Sequence, residues 1–362
     1  MLKKIFSPIK VGTNSLQHRV VLCPLTRFRS DPASVPSALQ AEYYKQRATD
    51  GGLLITEATL ISPSAGGYPR APGIFNKEQI EGWKKVTSAV HEKKGVIFTQ
   101  LWHVGRVGSK FLNPNQKQVV SASEIPVSGK NPQGNDYEVP RALQVDEIKE
   151  IVNDYTQSAK NAIEAGFDGV ELHGANGYLI DQFINSSSNK RTDMYGGSIE
   201  NRARFALEIV DSVAKAVGVE RTAIRFSPGN SYQDMGDDTV IETWSYITSQ
   251  LQKRHPDLAY LHFMEADAFL KDKLVDTLEP YRALWKGPFI TANGYSTAPD
   301  QAIELAEKTG DLVAFGRAFI SNPDLVERLR QGHELAQFDN STFYTNDAAG
   351  YTDYPFYNET KN

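Results

Sequence analysis

Short apolar runs alternate with longer amphipathic runs eight times along the chain, and this alternation constrains the fold more than any other feature of the sequence. The short runs predict strands at Arg19–Leu22, Leu53–Ala58, Val96–Leu101, Gly169–His173, Ala223–Phe226, Ala259–Phe263, Phe289–Ala292 and Leu312–Phe315. Apolar residues that return every three or four positions predict helices over Glu78–Lys93, Val145–Ala165, Ile199–Val217 and Ile241–Lys253. Two helices are expected to end at Lys94-Gly95 and Ala165-Gly166, where glycine can adopt the left-handed cap conformation.

Eight strands, each followed by a helix, favour an α/β fold of the closed (β/α)₈ barrel type. An open doubly wound sheet is the alternative, but Cys23-Pro24-Leu25-Thr26-Arg27 follows the first strand instead of a G-x-G-x-x-G turn. No repeat or composition shift marks a second domain, so residues 1–362 are predicted to form one barrel domain. An extended loop is expected over 103–143, and the tail after Gly332, with four tyrosines and three phenylalanines, is expected to pack on the barrel.

Charge and cysteine content exclude several classes of protein. The 39 Lys and Arg against 44 Asp and Glu leave a net charge of −5, which argues against binding to nucleic acid or an anionic membrane. The one cysteine, Cys23, rules out an intramolecular disulfide and a cysteine-ligated zinc or iron–sulfur site within one chain, and no other metal site is predicted. A reducing compartment, the cytoplasm, is therefore expected, and no apolar stretch is long enough to span a membrane.

The fourth predicted strand and the turn after it carry hydrogen-bonding side chains to the end of the barrel where catalysis occurs in this fold. Glu171 and His173 share one face of the strand, and Asn176 and Tyr178 follow through a glycine-flanked turn. A histidine and an asparagine can both donate to a carbonyl oxygen on which negative charge develops, and a tyrosine can deliver a proton. The alternative for His173 alone is a structural histidine satisfied by backbone groups.

Other strand ends supply groups that suit a charged ligand. Gln100 and Trp102 share a face of the third strand. A buried Arg225 in the fifth strand requires either a carboxylate such as Glu171 or a ligand with delocalised negative charge. Gly316-Arg317 after the last strand is a typical phosphate-binding position in a barrel.

With these motifs, the chain resembles the Old Yellow Enzyme family of FMN-dependent NADPH:ene-reductases, which includes the 12-oxophytodienoate reductases. The resemblance covers nearly the whole chain. It is carried by Pro24-Leu25-Thr26-Arg27, Gln100-Leu101-Trp102, His173-Gly174-Ala175-Asn176-Gly177-Tyr178, Arg191-Thr192-Asp193 and Tyr195-Gly196-Gly197-Ser198.

The resemblance implies an FMN held without a covalent bond at the top of the barrel. Thr26 would touch the carbonyl edge of the flavin, Gln100 its pyrimidine side, and Arg225 the edge where negative charge collects on reduction. The implied cofactor-binding set is Pro24, Leu25, Thr26, Ala58, Gln100, His173, Arg225, Asn293, Gly294, Gly316 and Arg317.

The implied activity is that of an NADPH dehydrogenase or ene-reductase. NADPH reduces the flavin, and an α,β-unsaturated aldehyde or ketone then binds with its oxygen on His173 and Asn176 while Tyr178 protonates the α-carbon. Phenols, which mimic the enolate, are expected ligands, and Trp102, Phe343 and Tyr344 are expected to shape the substrate pocket. The family also implies a monomer or a homodimer.

Two departures and two alternatives remain open at the level of sequence. The Asn293-Gly294 turn differs from the Ala-Gly order common in the family, and the block Met264–Lys273, expected on the substrate side, is unfamiliar. A flavin-binding sensor without turnover would be expected to lose His173, Asn176 or Tyr178, yet all three are present. A flavin-free barrel enzyme acting on a phosphorylated substrate lacks a lysine or paired carboxylates at the strand ends.

Overall fold

Eight parallel strands close into a barrel in the computed structural model, which describes residues 3–66, 68–131, 134–266 and 277–357. The barrel order is β3-β4-β5-β8-β9-β10-β11-β12, with β12 pairing back to β3. The strands of the described residues are β1 (Ile9–Val11), β2 (Asn14–Leu16), β3 (Val20–Leu22), β4 (Leu53–Leu60), β5 (Val96–Trp102), β6 (Val120–Ser121), β7 (Arg141–Ala142), β8 (Gly169–Gly174), β9 (Thr222–Phe226), β10 (Tyr260–Met264), β11 (Phe289–Ala292) and β12 (Leu312–Phe315). The predicted (β/α)₈ barrel is confirmed.

The helices surround the barrel and connect its strands. The α-helices of the described residues are α1 (Ala38–Arg47), α2 (Lys77–His91), α3 (Val145–Glu164), α4 (Leu179–Ile184), α5 (Ile199–Val217), α6 (Val240–Arg254), α7 (Glu279–Leu284), α8 (Pro299–Thr309), α9 (Arg317–Ser321) and α10 (Leu325–Gln331). None of the helices in the described ranges is long and apolar enough to cross a membrane.

Every predicted strand and helix is present, with ends that differ by at most two residues. One predicted helix end has a different geometry: after α2 the left-handed residue is Lys94 (φ 56°), whereas Gly166 after α3 adopts φ 87° as expected. Glycine is needed at position 95 for space, because a Cβ there would lie 2.9 Å from the Val90 side chain and 3.2 Å from that of Ala48.

The barrel interior divides into an apolar lower part and a polar upper part. The β1–β2 hairpin contributes Val11 and Leu16 to the lower part, where Phe98 packs on Tyr260 with ring centroids 5.5 Å apart. The polar side chains of the interior that lie toward the carboxyl ends of the strands are buried, among them Gln100, Glu171, His173 and Arg225. The apolar part stabilises the base of the barrel, since burial of each large side chain contributes about 1.5–3 kcal/mol to the stability of the fold. The polar groups above it are therefore held by a well-packed base.

The long loop and the tail both pack on the carboxyl-terminal face. The loop over 103–143 contains the short parallel pair β6–β7. The tail is held by Arg29, which donates hydrogen bonds to the carbonyl oxygens of Thr342, Phe343, Asp347 and Ala349. Its Tyr351 is fully buried and stacks on Tyr43 at 4.2 Å. The predicted packing of the tail is confirmed.

Candidate active site

The turn after β8 brings three predicted residues together. Asn176 has φ 58°, a left-handed conformation that asparagine tolerates better than most residues. Its backbone N–H donates to the Ser227 hydroxyl at 2.8 Å. The rings of His173 and Tyr178 lie 5.0 Å apart between centroids, and Tyr178 immediately precedes α4. The three side chains therefore occupy one site at the carboxyl end of the barrel.

The protonation states of His173 and Tyr178 differ in the way that acid catalysis by the tyrosine requires. Burial, with smaller contributions from the Arg225 guanidinium and from His262, lowers the pKa of His173 well below its usual value. Burial raises the pKa of Tyr178 well above that of a free tyrosine. At neutral pH the imidazole is therefore uncharged and can donate one hydrogen bond, and the phenol keeps its proton.

A buried carboxyl group under the turn fixes its shape. Asp181 accepts a hydrogen bond of 2.8 Å from the Gly177 N–H and one of 2.7 Å from the Asn185 amide. Burial raises the pKa of Asp181 to about 7, although these donors favour its ionised form. The sequence did not indicate a role for Asp181, because Asn185 beyond α4 and Ser227 after β9 reach this carboxyl group only in the folded barrel, and only its position three residues after Tyr178 could have pointed to it.

A polar network lies below the site, inside the barrel. The Gln100 amide donates to one oxygen of Glu171 at 2.7 Å, and His262 Nδ1 lies 2.8 Å from the other. Burial opposes the charge of this carboxylate, but His262, Arg225 and Gln100 together hold the pKa of Glu171 below its usual value. Arg225 forms no salt bridge with Glu171 among the described contacts and instead donates to Cys23 Sγ at 3.4 Å. The structure thus does not pair Arg225 with a carboxylate, which was one of its two predicted partners.

A first cavity, of about 220 Å³, gathers most of the predicted cofactor-binding residues. Asn293 and Gly294 both have positive φ, 89° and 88°. The asparagine by which this turn departs from the Ala-Gly order therefore occupies a left-handed position, which asparagine tolerates better than most residues. The Asn293 amide also donates to the Glu265 carbonyl oxygen at 2.9 Å. The predicted residues that line this cavity are Pro24, Leu25, Asn176, Arg225, Asn293, Gly294, Gly316 and Arg317. Met264, the first residue of the block expected on the substrate side, also lines it, together with Cys23, Ala314 and residues 295–297, which were not predicted.

A second cavity, of about 550 Å³, adjoins Tyr178 and has mainly aromatic walls. Of the predicted residues it contains Thr26, Trp102, Tyr178 and Tyr344. The sequence did not indicate the remaining lining residues, because they lie outside the strands and α-helices, where no periodicity shows the direction of a side chain. They are Phe28, Tyr68, Pro69, Arg70, Tyr232 and Asn346. The hydroxyl of Tyr178 is within reach of Tyr68 and of the side chain of Gln233.

Four predicted residues lie outside the lining of the two cavities. Ala58 and Gln100 are paired across β4 and β5, and both are buried at the barrel top, as is His173. Phe343 packs against Phe338, with centroids 5.8 Å apart, and does not line either cavity. Of the block Met264–Lys273, residues 267–273 lie outside the described residues.

Unpartnered donors at the barrel top test whether the site suits FMN. Arg225 Nε and Trp102 Nε1 are buried donors without a hydrogen-bond partner among the described groups, and His173 Nδ1, a donor or an acceptor according to the tautomer, is also unpartnered there. Buried donors are normally satisfied, so such a cluster indicates a ligand rich in carbonyl oxygens and negative charge. Gly316 keeps the adjoining cavity wall open, because a Cβ at this position would lie 3.3 Å from Leu25. An isoalloxazine ring with a phosphate fits this set of donors.

Comparison with known proteins agrees with this chemistry. Residues 4–336 match the family model described as NADH:flavin oxidoreductase / NADH oxidase. The chain is 47% identical to putative 12-oxophytodienoate reductase 2 of Oryza sativa subsp. japonica, over 98% of this chain and 94% of that protein. It is 48% identical to flavin oxidoreductase hxnT of Emericella nidulans, over 98% of each.

Solved structures give the same result. Morphinone reductase superposes with a TM-score of 0.92 at 44% identity, covering 100% of this chain and 98% of that one. A structure of morphinone reductase in complex with tetrahydroNAD superposes with a TM-score of 0.90 at 46% identity and covers 99% of both chains.

Proposed function

The chain belongs to the Old Yellow Enzyme family of flavin oxidoreductases, and from this premise we propose that it is an NADPH-dependent ene-reductase that saturates the activated C=C bond of α,β-unsaturated aldehydes and ketones. The observation that carries the proposal is the juxtaposition of a neutral His173 with a protonated Tyr178 in one turn, 5.0 Å apart between ring centroids. These are the states required to bind a carbonyl oxygen and to deliver a proton.

The chain's own residues would hold FMN at the barrel top. Arg317 and the Gly316 backbone would bind the phosphate, with the turn at Asn293 and the backbone of Pro24 and Leu25 completing the cradle. Gln100, Arg225, Thr26, Ala58 and His173 would surround the ring. When bound, FMN supplies a two-electron carrier that takes a hydride from the reduced coenzyme and gives it to the substrate.

Two donors from the turn would bind the substrate oxygen. His173 Nε2–H and the Asn176 amide are both neutral donors, and Nδ1 of His173 has no partner among the described groups. Negative charge grows on the substrate oxygen as the β-carbon accepts hydride, so these hydrogen bonds strengthen along the reaction and lower its barrier. The lowered pKa of His173 means that it acts as a hydrogen-bond donor and not as an acid.

Tyr178 would complete the reaction by protonating the α-carbon. Its side chain is half-buried and lies between Trp102, whose ring is 4.9 Å away, and the His173 ring. Trp102, Tyr68 and Tyr344 line the cavity beside this phenol, and phenols are expected to occupy the same pocket as substrate analogues. The single cysteine of the chain favours a reducing compartment, the cytoplasm, for this activity.

Isotope labelling tests the proposal. The holoenzyme is incubated with 2-methylcyclohexenone and NADPH deuterated at the nicotinamide C4, and in a second reaction with unlabelled NADPH in deuterated water. We expect coenzyme deuterium at the β-carbon and solvent deuterium at the α-carbon. Absence of a saturated product, or coenzyme deuterium at the α-carbon, would contradict the proposal. A parallel series with NADH tests the proposed preference for NADPH.

A further inference from the structure

The second cavity has a single charged side chain among its described lining residues, the guanidinium of Arg70. The other walls near it are uncharged and mainly aromatic: Phe28 lies 5.5 Å from Tyr68 and 5.4 Å from Tyr344 between ring centroids. Tyr68 stacks on Trp102 at 5.7 Å, and Trp102 contacts Tyr178. One cation therefore shares the cavity with a series of aromatic contacts that extends to Tyr178, the proposed proton donor.

The contacts of Arg70 leave most of its hydrogen-bonding capacity unused. Its Nη1 donates to the Ser30 carbonyl oxygen at a long 3.3 Å, and its own carbonyl oxygen accepts from the Ser30 N–H at 3.3 Å. A guanidinium has five N–H groups, so one long bond satisfies little of it. No carboxylate of the described residues forms a salt bridge with Arg70, and the side chain is half-buried. These observations indicate that its charge faces the cavity rather than a partner in the fold.

The backbone at this position adds a second observation. Arg70 has φ 63°, the left-handed region that favours glycine or asparagine. A tight turn holds it there, with the Ala71 N–H donating to the Tyr68 carbonyl oxygen at 3.1 Å. An arginine in this conformation costs stability that glycine or asparagine would not, so the fold does not explain the residue type. The turn also fixes the guanidinium relative to Tyr68 in the cavity wall.

We propose that Arg70 selects unsaturated carbonyl substrates that carry a carboxylate at the end remote from the reacting double bond. In this arrangement the carbonyl oxygen binds His173 and Asn176, the chain of the substrate runs along the aromatic wall, and the carboxylate accepts charge-assisted hydrogen bonds from Arg70. This inference rests on the proposed function, because it assumes that the second cavity holds the substrate. A coenzyme phosphate offers the same anionic chemistry, and the experiment separates the two.

The test uses phenols as stable probes on the FMN-loaded enzyme. A series of ω-(4-hydroxyphenyl)alkanoic acids with arms of increasing length is compared with the matching methyl esters, and each dissociation constant is read from the change in flavin absorbance. We expect the best acid to bind about five- to tenfold more tightly than its ester, and the ratio to fall with added salt. In Arg70→Gln the ratio should fall to about one, and Arg70→Lys should retain part of it.

Controls separate the possible failures. Arg70→Asn suits the left-handed backbone and serves if Arg70→Gln does not fold. Lys10→Gln removes an exposed cation on β1, next to the amino-terminal ends of β11 and β12, and should leave the ratio as in the parent. An acid-to-ester ratio of about one in the parent, or a ratio that Arg70→Gln does not change, would overturn the inference. So would an Arg70→Gln effect confined to reduction by NADPH or NADH. Failure of every phenol to bind would instead contradict the proposed function.

Discussion

The carboxylate of Glu171 accepts a hydrogen bond of 2.7 Å from the side-chain amide of Gln100, and both residues are buried inside the barrel. This bond commits the Gln100 side-chain nitrogen to Glu171 and fixes the orientation of the amide. His262 lies 2.8 Å from the other carboxylate oxygen, and Arg225 is close enough to lower the pKa of Glu171. A buried negative charge thus lies next to Gln100 and Arg225, two of the residues proposed to hold the flavin, and orients the first of them.

The first prediction concerns this charge. Glu171→Gln should raise the reduction potential of the bound FMN by tens of millivolts, because a buried carboxylate opposes the gain of electrons by a nearby ring. The potential is measured by equilibration with reference dyes, and FMN content is checked by absorbance. Glu164→Gln, on the exposed side of α3, is the matched control. An unchanged potential in the FMN-loaded Glu171→Gln variant would show that the network is structural only.

The second prediction concerns Tyr178. Tyr178→Phe should slow the reoxidation of the enzyme by enones about a hundred- to ten-thousandfold, because the proton donor is removed, while reduction by NADPH should be affected far less. Stopped-flow absorbance measures the two half-reactions separately. Tyr246→Phe removes a phenol on α6, outside the barrel, and controls for general effects. Equal slowing of both half-reactions would remove Tyr178 from its proposed role.

The third prediction concerns the pair of donors for the substrate oxygen. Replacing His173 by Ala and Asn176 by Gly should weaken phenol binding about a hundredfold while FMN remains bound, because two hydrogen bonds to an anionic oxygen are lost. Glycine is chosen at 176 because φ 58° would strain alanine. Asn176→Gly alone should give a smaller loss. Phenol affinity equal to that of the parent in the double variant would contradict the assignment.

The fourth prediction concerns pH. The pKa of His173 is lowered, so the imidazole is neutral above that pKa, and the pKa of Tyr178 is raised, so the phenol is protonated below it. Both groups therefore keep their active states between about pH 6 and 9, a range that includes the pKa of an ordinary histidine, about 6.5, and ends below that of an ordinary tyrosine, about 10. Titration of His173 and Tyr178 should leave the rate of reoxidation by cyclohexenone nearly constant over this range, and Asp181→Asn removes the buried carboxyl group of the turn, whose pKa is about 7, as a second source of pH dependence. A tenfold change centred near pH 6.5 that persists in Asp181→Asn would indicate that His173 titrates as an ordinary histidine.

The sequence predicted the barrel and the turn after β8 because both depend on local patterns. Apolar periodicity located every barrel strand, and the alternation of side chains along β8 placed Glu171 and His173 on one face. The partner of Glu171 could not be predicted, because His262 lies on β10 and reaches it only when the barrel closes. The sequence offered Arg225 as a partner, and the register brings Gln100 and His262 to the carboxylate instead.

The walls of the second cavity could not be predicted for a different reason. Phe28 and Arg70 lie in loops with positive φ, 57° and 63°, where side-chain direction follows no strand or helix period. Phe343 is the opposite case, a residue that was predicted to line the pocket from its place in the aromatic tail but does not line either cavity. The structure instead packs its ring against Phe338, while its carbonyl oxygen accepts hydrogen bonds from Arg27 and Arg29.

The most direct test of the account is an anaerobic visible absorption spectrum of the purified protein, recorded before NADPH, after NADPH and then after addition of cyclohexenone. The account predicts flavin bands that bleach with NADPH and return with the enone, so that both half-reactions occur in one cuvette. A protein that cannot be loaded with FMN would contradict the cofactor assignment and favour a flavin-free barrel enzyme. Bands that bleach but do not return with the enone would contradict the proposed reaction.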